Sequence, residues 1–226
     1  MATLYVVATP IGNLDDITIR ALEVLKTVEV VGVETPNVAR KLFSAYGIHG
    51  KKLIVVREVN RNDAYNMIKS FLDKEKDVAI ISDAGTPGIS DPGYDIINKL
   101  LKNGYRVVPI PGPSALTAVL SVFPLREPWV FLGFLPKRKG KRKKILQRFF
   151  ELSLNFVFYE SPYKILDTMY IMSDIMPNVE VCLAREITKR FEEFMVGSPG
   201  EIISLLEDRE TIKGEIVCAV NVDVSE

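Results

Sequence analysis

The chain has 226 residues, 47% hydrophobic and 26% charged, an ordinary globular composition with enough apolar material for one large or two small domains. Lys+Arg and Asp+Glu number 29 each, so the net charge is zero and a nucleic-acid partner has to be sought in a local patch. The single histidine, His49, excludes a His-rich metal site, and no apolar run approaches the roughly 18 residues of a membrane span. Cys182 and Cys218 lie in apolar strand-like runs and read as buried free thiols, which together with the absence of a basic leader points to a cytoplasmic protein.

In chain order, TLYVVA at 3–8 predicts a buried first strand, followed by the turn TPIGNLDD and a helix through about Lys26. Strands follow at 28–33 and 52–56, with helices at 37–46 and 62–75. A strand at 77–82 runs into SDAGTPGISDPG at 82–93, a turn with three glycines and two prolines, and then into a helix over 92–103. A fifth strand at 106–110 ends in PIPGPSAL, which opens another helix. Strands and helices alternating at this interval predict a mostly parallel α/β sheet with right-handed crossovers. In such a sheet the turns at 9–14, 82–93 and 111–115 share one edge, where they can converge on a ligand. The 82–93 stretch can also be read as an ordinary strand-to-helix connection.

Composition shifts at 121–136, where Pro124, Pro128 and Pro136 punctuate the chain, and this places a boundary between domains 1–120 and 121–226. The second part predicts strands at 129–134, 155–160, 179–185, 190–196 and 215–223, with helices at 142–152, 163–175 and 200–208. Consecutive strands at 179–196 imply a hairpin, so this sheet is expected to be mixed. Ser198-Pro199-Gly200-Glu201 carries an N-cap serine, a proline at the first helical position and a glutamate at the third.

The familiar nucleotide and hydrolase signatures are missing. No G-x-G-x-x-G follows the first strand, no P-loop or G-x-S-x-G occurs, and no Cys/His spacing suits zinc. What remains is chemistry that needs neither metal nor histidine, and methyl transfer from an activated sulfonium donor fits. KRKGKRKKILQR at 137–148 holds eight basic residues in twelve and no acid. It is either a solvated helix face or a phosphate-binding patch made of Lys137, Arg138, Lys139, Lys141, Arg142, Lys143 and Lys144. Glu160 ends the strand FVFYE, where it can be structural or a base. Arg185, Glu186, Lys189, Arg190, Glu192 and Glu193 crowd a hairpin turn, and a surface ion-pair network is the default reading of them.

TPIGNLDDIT, SDAGTPGISDPG, PIPGPSAL, GFLPKRKGKR, FYESPYK, AREITKRFEE and KGEIV occur in that order. Together they resemble the tetrapyrrole methylase superfamily, and within it the ribose 2′-O-methyltransferases acting on a cytidine of small-subunit (16S) ribosomal RNA. The resemblance spans nearly the whole chain. It implies two α/β domains holding S-adenosylmethionine in the cleft between them, and a homodimer; the residue inventory adds the expectation of no metal. It further implies cofactor contacts from Pro10, Asp83, Ala84, Gly85, Thr86, Ile89, Ser114, Ala115, Tyr159, Ala184 and Gly214, with RNA held by the basic run. From position and charge, Glu160 or a water it orients is assigned as proton acceptor for the ribose hydroxyl, with Arg185 and Lys189 gripping the phosphate or favouring the alkoxide. Two rivals stand beside this reading: methylation of a corrin or porphyrin precursor, and a non-catalytic RNA-binding assembly factor. The chain departs from the family pattern at Glu34-Thr35-Pro36-Asn37, where E-D-T-R is usual, and at Val59-Asn60-Arg61-Asn62, where a His-Asn-Glu cluster is usual.

Overall fold

The computed structural model describes residues 2–222. The chain divides into two compact units, the first running to Ser114 and the second starting at Ala115. The boundary expected at 120/121 falls inside the helix that opens the second unit.

The first unit has strands β1 (Thr3–Val7), β2 (Val30–Val33), β3 (Lys52–Val55), β4 (Val78–Ile80) and β5 (Arg106–Ile110), and helices α1 (Ile19–Thr27), α2 (Pro36–Ala45), α3 (Arg61–Leu72) and α4 (Gly93–Lys102). The five strands form one sheet in the order β3-β2-β4-β1-β5, and every pairing is parallel. Alternate residues of each strand feed opposite faces. Leu4, Val6, Val30, Val78 and Ile80 pack against Ile68, Leu72, Ile96 and Leu100 of α3 and α4. Val7, Val31, Val33, Ala79 and Ile81 pack against Ala21, Leu25, Leu42 and Phe43 of α1 and α2. Helices therefore cover both faces, which is why these strands read as continuous apolar runs rather than as alternating ones.

The second unit has α5 (Ala115–Val122), β6 (Trp129–Phe134), α6 (Lys139–Glu151), β7 (Asn155–Glu160), α7 (Ile165–Ile175), β8 (Glu180–Arg185), β9 (Glu193–Gly197), α8 (Pro199–Glu207) and β10 (Ile216–Asn221). Its sheet runs β6-β7-β10-β8-β9, with β6 and β7 parallel and the remaining pairs antiparallel. The mixed sheet and the β8–β9 hairpin expected from sequence are both present. The strand expected over 215–223 is seen to Asn221, and residue 223 lies outside the described residues. Phe156, Phe158, Leu183, Ile216 and Cys218 form one core face against Leu146, Met169, Met172 and Ile202 of α6, α7 and α8. Ser198 caps α8 as its sequence predicts: its hydroxyl accepts from the Glu201 amide, and Glu201 returns a bond to the Ser198 amide.

One boundary moved. α6 starts at Lys139 rather than 142, so six of the seven cations of 137–144 sit in its flank and first turns. Glycine and clustered charge obscured that start. Among the described residues no helix is long and apolar enough to cross a membrane.

Candidate active site

In the first unit β4, β1 and β5 are neighbours, so the three glycine/proline turns emerge side by side from the carboxyl edge of the sheet. Hydrogen bonds tie them together. The Thr9 and Gly85 amides each donate to the other's carbonyl, at 2.9 and 3.0 Å. The Thr9 hydroxyl donates to the Ser82 carbonyl at 3.2 Å, and that of Thr86 to the Pro113 carbonyl at 3.3 Å. Gly85 has φ +81°, and a Cβ there would also press on Ile11 at 3.3 Å. A Cβ on Gly112 would meet that of Ala8 at 3.0 Å. Side chains are thus excluded where the turns meet, while Ala84 and Ile89 are exposed on the 82–93 turn and Pro10 is half-buried on the first.

Carboxylates surround this turn. Asp91 uses both oxygens internally, accepting from the amides of Gly88 (2.9 Å) and Gly93 (2.7 Å). Burial pushes its pKa up in spite of those bonds. Asp83 accepts from the Thr35 amide at 3.0 Å, and Glu34 in turn accepts from the Asp83 amide. Burial, then the charges of Asp83 and Asp91, raise the pKa of Glu34.

In the second unit Tyr159, Val217 and Ala184 form one row across β7, β10 and β8, and Gly214 lies just ahead of β10. Phe131 and Phe134 meet the Tyr159 ring edge-on, with centroids 4.9 and 5.4 Å away. Ala115 opens α5, and Ser114 is the last residue of the first unit. Gly214 has φ +99°, and a Cβ on it would lie 2.7 Å from Glu186 Cδ. The reason is that Glu186 Oε1 accepts both the Glu215 amide (2.9 Å) and Lys189 Nζ (2.8 Å).

The charged residues chosen from sequence sit differently from expectation. Glu160 is only 3% exposed. Its Oε1 accepts from the Ser161 amide at 2.8 Å, and its Oε2 accepts from the Thr168 hydroxyl at 2.9 Å and faces Arg142 Nη1 at 3.7 Å. With both oxygens engaged inside the unit, Glu160 is a structural carboxylate, and its assignment as proton acceptor is corrected. The same pair corrects Arg142. That side chain is 1% exposed, with Nη2 3.7 Å from Asp167, so it is not a surface cation available to RNA. Its signal was there: Arg142 lies one helical turn before the buried Leu146, on the inward face of α6.

Arg185 donates to Glu193 (3.3 Å) and to the carbonyls of Lys213 (3.0 Å) and Phe191 (3.4 Å). Lys189 binds Glu186 and Glu215; burial opposes its charge, but these bonds raise its pKa and keep it cationic. Both serve the ion-pair network of the hairpin turn, the default reading of that cluster. Lys137, Arg138, Lys139, Lys141 and Lys144 are exposed, and Lys143 pairs with Asp174 at 2.5 Å. Sequence reasoning passed over Thr9, which ties two turns together, and placed Glu186 in the ion-pair cluster without showing it as the acceptor for both Lys189 and the Glu215 amide. Neither has a pattern of its own, since both act through partners far along the chain.

Solved structures share this fold at low sequence identity. Diphthine synthase superposes with a TM-score of 0.74 at 14% identity, covering 97% of this chain and 90% of that one. A cobalt precorrin-4 methyltransferase gives 0.70 at 16% identity, covering 96% and 94%. The chain therefore shares the fold of these two proteins. The family model for tetrapyrrole (corrin/porphyrin) methylases matches residues 3–203, and the chain belongs to that family. Among its relatives, a ribosomal RNA small subunit methyltransferase I of Coprothermobacter proteolyticus is 42% identical over 96% of both chains. One of Bacillus subtilis is 37% identical over 97% of this chain and 75% of that protein.

Proposed function

We propose that this protein transfers a methyl group from S-adenosylmethionine to a cytidine ribose 2′-hydroxyl of small-subunit ribosomal RNA, as a cytoplasmic homodimer. The observation that carries the reading is the near full-length likeness to relatives named for small-subunit ribosomal RNA. The exposed cations at 137–144 support it. They crowd the start of α6, where no acidic residue offsets the positive end of the helix dipole, and phosphates would relieve that repulsion.

The residues fit the donor. A turn stripped of side chains at Gly85 and Gly112 leaves room for close approach, and Ala84 and Ile89 offer apolar surface. Pro10, Asp83, Ala84, Gly85, Thr86, Ile89 and Ser114 of the first unit would hold it, with Ala115, Tyr159, Ala184 and Gly214 of the second. The carboxylates of Asp83, Asp91 and Glu34 give this edge a negative field suited to a sulfonium cation. When bound, the donor supplies an electrophilic methyl group. The protein aligns the acceptor, excludes water and takes up its proton.

The test uses labelled S-adenosylmethionine with small ribosomal subunits, naked ribosomal RNA or a porphyrin precursor. Label in subunit RNA, at a linkage made resistant to alkaline cleavage, is the expected result. Label in the porphyrin alone would favour the family's other chemistry and leave the basic run without a role. Binding of subunits without transfer would favour an assembly factor.

A further inference from the structure

Glu160 leaves the reaction without a proton acceptor, because its oxygens face Ser161, Thr168 and Arg142 inside the second unit. A ribose hydroxyl is a weak acid and has to lose its proton as the new bond forms, so a carboxylate with an available lone pair is needed beside the donor's turn. On the carboxyl edge of the first unit three carboxylates adjoin that turn. Asp91 has both oxygens committed to Gly88 and Gly93, and buttresses the loop. Asp83 holds the Thr35 amide through Oδ1, and Glu34 accepts the Asp83 amide; of these two, Glu34 is the one that lines the cavity at the turn. It stands one residue beyond β2, next to β4, and the two backbone bonds joining Glu34 and Thr35 to Asp83 fix it against the 82–93 turn. It is half-buried and lines a cavity of about 10 Å³ with Val56, Ser82, Pro87 and Asp91. That is the lower size limit for a single water.

Resting on the function proposed above, we infer that Glu34 is the proton acceptor for the acceptor hydroxyl. The O–H bond breaks and its proton passes to the Glu34 carboxylate. The oxygen lone pair forms the O–CH3 bond, while the C–S bond of the sulfonium donor breaks and its electron pair stays on sulfur. The groups facing Glu34 are Asp83 and Asp91, which disfavour its charge, and Arg57, which favours it and donates to the Glu34 carbonyl at 3.4 Å. Burial and the two aspartates hold Glu34 above the ordinary carboxylate range in the protein alone. A cation placed beside this turn favours the charged form of Glu34 and pulls its pKa back down.

That linkage gives a readout separate from turnover. Calorimetric titration in buffers of different ionisation enthalpy, from the carboxylate range up to neutrality, counts protons released on binding. Wild-type protein is expected to release protons with S-adenosylmethionine in excess of those released with S-adenosylhomocysteine, which has the same amino-acid end but no sulfonium charge. Glu34→Gln is expected to abolish the excess, to weaken S-adenosylmethionine binding more than S-adenosylhomocysteine binding, and to lose about 10²-fold or more in kcat on small subunits at unchanged KM for the subunit. Glu34→Asp, which keeps a carboxylate, is expected to restore part of both signals. A wild type with no excess release overturns the inference without any variant. So does Glu34→Gln turning over at the wild-type rate. A wild type that methylates no subunit RNA overturns the functional reading instead, and is recognised as such because the variant then has nothing to lose.

Discussion

The two units use charge in opposite ways. In the first, three turns with few side chains are laced together through Thr9, Gly85, Thr86 and Pro113. Its carboxylates border that lacing, and Glu34 is left under strain from its neighbours. In the second, most charged residues that look functional along the chain are spent on one another. Arg142 meets Glu160 and Asp167, Arg185 meets Glu193, and Lys189 meets Glu186 and Glu215. The difference teaches that unusual composition at the end of a parallel strand is harder to explain by internal pairing than a cluster of charges is. A turn of glycines has no reason to exist except its shape, whereas a cluster of opposite charges can be its own reason.

The largest expected effect breaks the second unit's economy of paired charge. Arg142→Ala leaves Glu160 buried and unpaired, and removing one partner of such a pair costs about 3–5 kcal/mol. Urea unfolding followed by circular dichroism reads it. Glu160→Gln keeps acceptor and donor atoms for Ser161 and Thr168 and should cost less. A loss under about 1 kcal/mol for Arg142→Ala, the scale of an exposed ion pair, would mean that the guanidinium is exposed in solution, and would return it to the RNA-binding set.

Next come the two glycines that the turns of each unit require. Gly85→Ala and Gly214→Ala force a side chain into left-handed backbone, with φ +81° and +99°, which costs of order 1–3 kcal/mol each. They should differ in what else they lose. Gly85→Ala presses on Ile11 and disturbs the bonds to Thr9, so donor affinity measured by calorimetry should fall. Gly214→Ala collides with Glu186 and should release Lys189, so its melting temperature should become less sensitive to salt. Gly214 is also in the proposed donor set, so donor affinity should fall in both, and the loss of salt sensitivity belongs to Gly214→Ala alone; an equal change of salt sensitivity in both would erase the contrast.

The fold was legible because period and punctuation agree along the chain. Buried runs such as VVGV and VAI predict strands covered on both faces, and Ser198 with Glu201 marks a helix start without reference to anything distant. The strand order was not legible. That β4 inserts between β2 and β1, bringing Glu34 beside Asp83, depends on crossovers that no local pattern encodes. The same limit explains the misassigned charges. Glu160 shares a network with Thr168 and Arg142, and its sequence neighbours Tyr159 and Ser161 say nothing of the arginine. Arg142 looked like its basic neighbours because a charge run hides the one position that points inward.

The smallest expected effect on stability is also the sharpest test of what the remaining cations do. Lys137, Lys139, Lys141 and Lys144 are exposed, so replacing all four by Ala should change unfolding free energy by no more than about 0.5 kcal/mol per site. Donor affinity should not move, since none of them is among the residues proposed to hold the donor. Binding to small subunits should weaken, and the slope of log affinity against log salt should flatten by about 0.7 for each phosphate that is no longer neutralised. The slope is the decisive quantity, because a fall in affinity alone could come from a disturbed helix, whereas a flattened slope counts ions released by the cations themselves. An unchanged slope would make the run a solvated helix face and place the RNA interface elsewhere on the protein. In Arg142→Ala the slope should stay as in the wild type while stability collapses, and the two variants together separate the cations that face solvent from the one that holds the unit together.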